Sequence, residues 1–200
     1  VRGVRALMVL ALLVGLLGGA TLPAPPAESA PDAGPPGATL QPQPAAPPLQ
    51  QFTAQGHVLG FMPDAVVMAA STHGLRVGFV DANAVTPQAA NATTAARTEL
   101  GSAPSLGRVT YANLWDGVTL TYEAAEGSIA KSTYTVAPGA DLGQIRLHYS
   151  VPVQALEDGS LEMAFERGRM TESAPVAWQE IGEQRIPVSA AFSLDESVDM

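Results

Sequence analysis

Apolar and polar residues alternate with a period of two along much of this chain, the pattern of β-strands with one buried face. The clearest example is the stretch 111–149, which contains three such runs, at 118–122, 132–136 and 145–149. Pro138 and Gly139 separate the last two, and this pair is typical of a type II turn because glycine accepts the positive φ of its second central position. The stretch predicts a three-stranded antiparallel meander.

Short alternating runs separated by turn residues continue on both sides of this stretch. Strands are predicted at 58–61, 65–68, 75–80, 108–111, 161–165, 169–171, 176–181 and 186–194, with a hairpin turn at 157–159. Strands at this spacing indicate a sandwich or barrel-like pair of sheets. The sequence therefore predicts an all-β, mostly antiparallel β-sandwich-like domain over residues 51–194.

One internal segment lacks the alternation. Residues 81–105 are rich in alanine, threonine and asparagine, and we interpret them as a long loop. Within it, the stretch 95–100 could form one helical turn closed by Gly101.

The first twenty residues have the composition of a bacterial signal peptide. Arg2 and Arg5 precede an apolar run at 6–17, and Gly18 to Ala20 supply small residues for cleavage after position 20; a later cleavage after Ala30 is the second option. The alternative is an uncleaved membrane anchor, but the run is short for a span of about 20 residues. Residues 1–20 are therefore predicted to be a cleaved signal peptide.

Residues 21–50 are dominated by proline and alanine. Such a composition favours extended polyproline II structure and cannot bury a core, which predicts a disordered spacer. A proline-rich ligand or a stalk across the cell wall is the alternative. Residues 195–200 are interpreted as an acidic tail or the start of a downstream region.

The charge and the absence of cysteine narrow the class of protein. The formal net charge is −9, and loss of Arg2 and Arg5 with a signal peptide would take it to −11. An acidic chain with scattered arginines has no basic footprint for nucleic acid, and binding to an anionic membrane is disfavoured. With no cysteine there is no disulfide, thiolate metal site or thiol nucleophile. These features favour a protein secreted by a bacterium or placed at its cell surface.

No arrangement typical of catalysis or metal binding is visible in the sequence. His57, His73 and His148 have no metal-ligand spacing and are interpreted as surface or turn residues. No Gly-x-Ser-x-Gly motif is present. Eight carboxylates lie in or beside predicted strands and are interpreted as solvated: Asp116, Glu123, Glu126, Glu157, Asp158, Glu162, Glu166 and Glu180. No cofactor or metal is expected.

The aromatic residues are the remaining binding candidates, because an aromatic ring exposed on a sandwich face can stack on a sugar. Most of them are in phase with aliphatic neighbours, which favours core packing. Trp115 lies beside a turn and is expected to be the most exposed. It is the candidate residue for ligand stacking.

Several segments resemble the N-terminal β-rich domain of bacterial SBBP-repeat (β-propeller repeat) cell-surface proteins, a domain of unknown function. They are, in order, 108–111 (RVTY), 115–122 (WDGVTLTY), 134–141 (YTVAPGAD) with 145–147 (IRL), and 174–181 (APVAWQEI) with 185–188 (RIPV). The resemblance extends over residues 52–194. The Asn-Arg-Gly-Gln segment that usually opens the family's domain is missing here. The resemblance implies a secreted module followed by β-propeller or Ig-like repeats, and it implies no catalytic residue.

Two functional hypotheses follow. The first is a non-catalytic exported module, the structural or interaction domain at the start of a repeat-containing surface protein, with downstream repeats or an extracellular glycan as partner. The second is a carbohydrate-binding module or glycan-active enzyme that uses Trp115. Under the first hypothesis the protein is not an enzyme.

Overall fold

The computed structural model describes residues 5–15, 50–91, 95–98 and 101–195. All of these residues belong to one compact unit. The segment 21–50 predicted to be a spacer lies, apart from Gln50, outside the described residues, and so do the residues after Asp195.

The described chain is built of β-strands with one 3-10 turn at Leu142–Gln144. The strands are β1 (Arg5–Gly15), β2 (Gln50–Ala54), β3 (His57–Met62), β4 (Ala65–Ala70), β5 (His73–Val80), β6 (Gln88–Ala90), β7 (Ala95–Thr98), β8 (Gly101–Pro104), β9 (Arg108–Trp115), β10 (Val118–Ala125), β11 (Ser128–Val136), β12 (Arg146–Tyr149), β13 (Val153–Ala155), β14 (Leu161–Ala164), β15 (Arg169–Glu172), β16 (Val176–Ile181) and β17 (Gln184–Val188).

Two sheets and one small strand pair account for these strands. The large sheet has ten strands, in the order β13-β14-β15-β1-β11-β10-β9-β6, with β16 also paired to β1 and β17 paired to β16. The second sheet has five strands, in the order β12-β5-β4-β3-β2, and β7 pairs with β8. Neighbouring strands run antiparallel throughout both sheets.

Aromatic side chains pack the two sheets face to face. The ring of Phe61 on β3 meets Tyr122 on β10 edge-on at 5.5 Å, and Phe79 on β5 meets Tyr111 on β9 at 5.1 Å. The core they belong to takes its buried residues from both sheets. The predicted all-β, mostly antiparallel β-sandwich is confirmed.

The predicted meander is correct for two of its three strands. β10 and β11 pair directly, and the turn at Pro138 and Gly139 forms as predicted: Gly139 has φ 81° and the Ala140 N–H donates to the Ala137 carbonyl oxygen at 3.1 Å. The third strand, β12, instead crosses to the second sheet and pairs with β5. Alternation predicts that a strand forms but not which strand it joins, because a turn and a crossover between sheets have similar local sequences.

The helical turn predicted at 95–100 is wrong. Ala95–Thr98 is a strand that pairs with Gly101–Pro104. Just beyond this pair, Ser105 forms a parallel bridge with Thr53, and the Leu106 N–H donates to the Thr53 carbonyl oxygen at 3.0 Å. The segment is thus joined to the edge strand β2, and tertiary pairing of this kind overrides a weak local preference for helix.

The apolar segment predicted to be a signal peptide forms β1 in this structure. Its backbone pairs with β11 through seven registered residues, from Ala6 opposite Val136 to Leu12 opposite Ala130. Its other edge pairs with β16 near its start and with β15 near its end. Across the described residues, no helix has the length and apolar character to cross a membrane.

Candidate functional site

A carboxyl group is buried between the two sheets. Glu172, the last residue of β15, is 7% exposed, although strand-end glutamates are normally solvated. The Tyr149 hydroxyl, on β12 of the opposite sheet, donates a hydrogen bond of 2.5 Å to Glu172 Oε2. The hydrogen bond between Tyr149 and Glu172 therefore links the two sheets through an ionisable carboxyl group.

The surroundings of Glu172 disfavour its charged form. Among the described side chains, those that line the cavity beside Glu172 are Met68, Val77, Tyr122, Ala130, Ser132, Tyr134, Leu147 and Tyr149, with no lysine, arginine or histidine among them. Burial raises the pKa of Glu172 to about 7, and the hydrogen bond from Tyr149 offsets only part of that rise. Burial and the nearby carboxyl together raise the pKa of Tyr149 well above its ordinary value. The Glu172 carboxyl therefore gains or loses its proton near neutral pH.

The space beside this carboxyl is small. The cavity between the sheets measures about 20 Å³, comparable to the space that one water molecule occupies. Ligand pockets for sugars or drug-sized molecules are larger by more than an order of magnitude, at about 300 Å³ and above. Proton uptake fits this arrangement, whereas the binding of an organic substrate here does not.

Glu172 is not among the candidates predicted from the sequence, although the alternation of residues on its strand indicates that it faces the core. Met170 and Glu172 are two residues apart on one short strand, so they project to the same face, and Met170 is fully buried. A glutamate in phase with a core methionine is a candidate buried carboxyl. Its partner Tyr149 lies in another sheet, and no spacing in the sequence indicates that contact.

A second polar pair lies at one end of the five-stranded sheet. His57 opens β3 and His73 opens β5, and their Nε2 atoms are 3.0 Å apart. Ala70 on β4 pairs with His73, and the β3–β4 register places His57 beside the same alanine. Because alanine is short, the two imidazoles meet above it. The His57 side chain is buried, which corrects its interpretation as a surface or turn residue.

Each imidazole of the pair has a second partner at its other nitrogen. His57 Nδ1 lies 3.0 Å from the Gln55 carbonyl oxygen, which can only accept, so this nitrogen is the donor. His73 Nδ1 lies 3.0 Å from Thr72 Oγ1. Burial lowers the pKa of both histidines, and for His73 the neighbouring His57 lowers it further. The two rings are therefore neutral at pH 7.

The prediction that Trp115 is exposed is wrong. The indole is 1% exposed and its Nε1–H donates to the Val80 carbonyl oxygen on the opposite sheet at 3.0 Å. Phe79 and Tyr134 pack against it. Although Trp115 ends its strand beside a turn, the facing sheet covers it, so it offers no surface on which a sugar could stack.

Most of the other polar candidates lie at the surface, as predicted. Five of the eight carboxylates interpreted as solvated are exposed, whereas Glu123, Glu162 and Glu180 are half-buried; His148 is exposed on β12. Three of those carboxylates pair with arginines across a strand pair, as in the contact of 2.7 Å between Arg108 and Glu123. Exposed pairs of this kind contribute about 0–1 kcal/mol each. They are structural surface features.

The structure thus defines an all-β sandwich that buries a carboxyl between its sheets and a histidine pair at one end. Over residues 38–199 the chain matches the model of DUF7948, a domain of unknown function, and it belongs to that family. No curated protein and no solved structure matches the chain.

Proposed function

We propose that this chain is a non-catalytic exported module of a bacterial surface protein, which interacts with the module that follows it by completing a β-sheet. The observation that carries the proposal is the place of β1 in the large sheet. Membership of a domain family and the resemblance to the first domain of SBBP-repeat proteins support a modular role. The sequence features of a signal peptide support export.

The strand β1 lies inside the large sheet rather than at its edge, and we call the position between its neighbouring strands the slot. One side of the slot is β11, and the other is formed by β16 and β15 in succession. Among the described strands, β16 has only β1 and β17 as neighbours. The hairpin of β16 and β17 is therefore joined to the rest of the sheet through the backbone of β1.

The residues that fill the slot are the residues predicted to be removed on export. Loss of residues 1–20 would leave backbone N–H and C=O groups of β11, β15 and β16 without their sheet partners. Such edges pair readily with an added strand, a recognised mode of interaction between proteins. In the proposal, a strand from the downstream repeats takes the place of β1 in the mature protein.

The hairpin beside the slot has further features of an interface. On one face of this hairpin three branched apolar side chains are exposed: Ile181, Ile186 and Val188, each by 41–43%. The β16–β17 register sets Ile186 opposite Gln179 and Val188 opposite Ala177, which places the apolar residues on one face. Clustered exposed apolar residues are typical of contact surfaces.

Hydrogen–deuterium exchange on three chains tests the proposal: residues 1–200, residues 21–200, and residues 21 onward through the module that follows in the gene. We expect amides of β11, β15 and β16 to lose protection in the second chain and regain it in the third. The strands β3, β4 and β5 of the other sheet serve as the internal control. Equal protection in the first two chains, or no recovery in the third, would contradict the proposal.

Sequencing of the exported protein's N-terminus tests the export step separately. A mature chain that begins at or near residue 21 supports it, and one that begins at Val1 contradicts it. The alternative function, a carbohydrate-binding module or glycan-active enzyme, no longer has the residue predicted to carry it, since Trp115 is buried. Glycan binding or turnover by the purified mature protein would favour that alternative.

A further inference from the structure

We propose that His57 and His73 form a binding site for a divalent transition-metal ion, with copper(II) or nickel(II) as the ions that fit. The two Nε2 atoms face each other at 3.0 Å, and both Nδ1 atoms are held by other groups. Neutral imidazole nitrogens are common ligands for these metals. The histidines are sixteen residues apart in the chain, so no metal-binding spacing is visible in the sequence.

The groups at the two Nδ1 atoms are of the kind found behind metal-bound histidines. Such a histidine donates its second N–H to a carbonyl, carboxylate or other acceptor, which fixes the tautomer and aims the free nitrogen at the ion. The Gln55 carbonyl serves His57 in this way, and the Thr72 hydroxyl can serve His73. With a metal bound, both Nδ1 atoms carry hydrogen and both Nε2 lone pairs point to the ion.

The turns and the neighbouring strand hold the two rings in place. Gln55 and Gly56 both have positive φ, 46° and 78°, as a two-residue hairpin turn of type I′ requires, and this turn joins β2 to β3 and fixes the start of β3, where His57 lies. The ring of Phe165 packs against His73 at 5.0 Å. His57 is buried while His73 is partly exposed, so His73 is the member of the pair nearer to solvent.

The nitrogen separation discriminates between metals. With both bonds about 2.05 Å long, a separation of 3.0 Å gives an angle of about 94° at the ion. Tetrahedral zinc requires about 109°, which corresponds to nitrogens about 3.3 Å apart. An angle near 90° suits adjacent positions of a square-planar or tetragonal site, the geometry of copper(II) and nickel(II).

The histidines supply two ligands, and solvent supplies the rest. Among the residues that the structure describes, no group of three or more histidine, cysteine, aspartate or glutamate side chains is placed to hold a metal. The site is therefore a two-nitrogen site with open positions, which favours reversible binding. In the absence of metal, the His73 Nε2–H donates to the bare His57 Nε2, and the Thr72 hydroxyl donates to His73 Nδ1.

Titration of the untagged full-length chain with copper(II) tests the inference, followed by calorimetry and by electron paramagnetic resonance. We expect one ion per chain, and a spectrum split by two equivalent nitrogens. The variants His73→Gln and His57→Gln should each weaken binding by more than about tenfold, and Thr72→Val by about tenfold. The matched control is His148→Gln, which removes the exposed histidine on β12 and should leave binding unchanged.

Three results would overturn the inference. The first is copper binding that survives His73→Gln in a variant shown to be folded by circular dichroism. The second is binding that is lost in His148→Gln. The third is tighter binding of zinc(II) than of copper(II), since both the angle at the ion and the general order of divalent affinities favour copper. Because His73 is partly exposed, its variant remains informative even if His57→Gln fails to fold.

Discussion

The Tyr149 hydroxyl donates a 2.5 Å hydrogen bond to Glu172 Oε2, and this bond crosses from one sheet of the sandwich to the other. Burial among apolar and aromatic side chains raises the pKa of Glu172 to about 7. The carboxyl therefore changes its charge near neutral pH. A core that titrates near neutrality makes the stability of the domain depend on pH.

Glu172→Gln tests this dependence. A raised pKa means that the folded state binds the proton more tightly than the unfolded state, so the contribution to stability is full below about pH 4.5 and is lost as the pH rises to about 7. The difference between those two pKa values corresponds to about 3 kcal/mol. Relative to the wild type, the glutamine variant should therefore gain about 3 kcal/mol in unfolding free energy between pH 4.5 and pH 8. Urea unfolding at both pH values measures this, and equal pH slopes for the two proteins would contradict it.

Tyr149→Phe removes the hydroxyl that donates a hydrogen bond to the Glu172 carboxyl. At pH 8, where Glu172 is ionised, we expect a loss of about 1.5–3 kcal/mol, and at pH 5 a loss of about 0.5–1.5 kcal/mol. The matched control is Tyr111→Phe, since the Tyr111 hydroxyl also joins the two sheets but donates to the uncharged Met62 carbonyl oxygen, at 3.0 Å. The stability lost in Tyr111→Phe should be the same at both pH values. A Tyr149→Phe loss that does not change with pH would contradict a change in the charge of Glu172 between pH 5 and pH 8.

Most of the strands were predictable from the sequence because their cause is local. The alternation of Leu161 and Met163 with Glu162 requires only a pleated backbone with one buried face, and the turn at Gly139 requires only a residue that tolerates positive φ. The pairing of β10 with β11, which a short turn joins, was predicted, but partners from more distant parts of the chain were not. β12 joins the second sheet because of where the whole chain packs, and no local pattern records that.

The candidate sites were missed for the same reason. Glu172 meets Tyr149 from a strand on the opposite sheet, and His57 meets His73 across Ala70 from a strand two positions away. Both contacts depend on sheet order and register. Trp115 shows the converse error: its place beside a turn predicts exposure, but the facing sheet covers it and Val80 accepts its indole hydrogen bond.

Trp115→Phe should destabilise the domain without any role in ligand binding. The change removes the hydrogen bond to Val80 and leaves space in the core, for which we expect a loss of about 2–4 kcal/mol. The control is Trp178→Phe, because Trp178 is half-buried on β16 and its Nε1 has no hydrogen-bond partner among the described residues. Thermal unfolding of both variants measures the difference. A Trp115 variant as stable as the Trp178 variant would contradict the packing described for the indole.

As the pH falls, the histidine pair should lower the unfolding free energy, whereas Glu172 raises it. The pKa values of His57 and His73 are lowered by burial, so the unfolded state takes up protons first as the pH falls below 6.5, and stability is lost there. In metal-free buffer, the double variant His57→Gln with His73→Gln should therefore lose less stability than the wild type between pH 7.5 and pH 5. Urea unfolding gives the two slopes, and His148→Gln should keep the wild-type slope. If the double variant also kept that slope, the two imidazoles would titrate alike in the folded and unfolded states, and the hydrogen bond between their Nε2 atoms would not exist in solution.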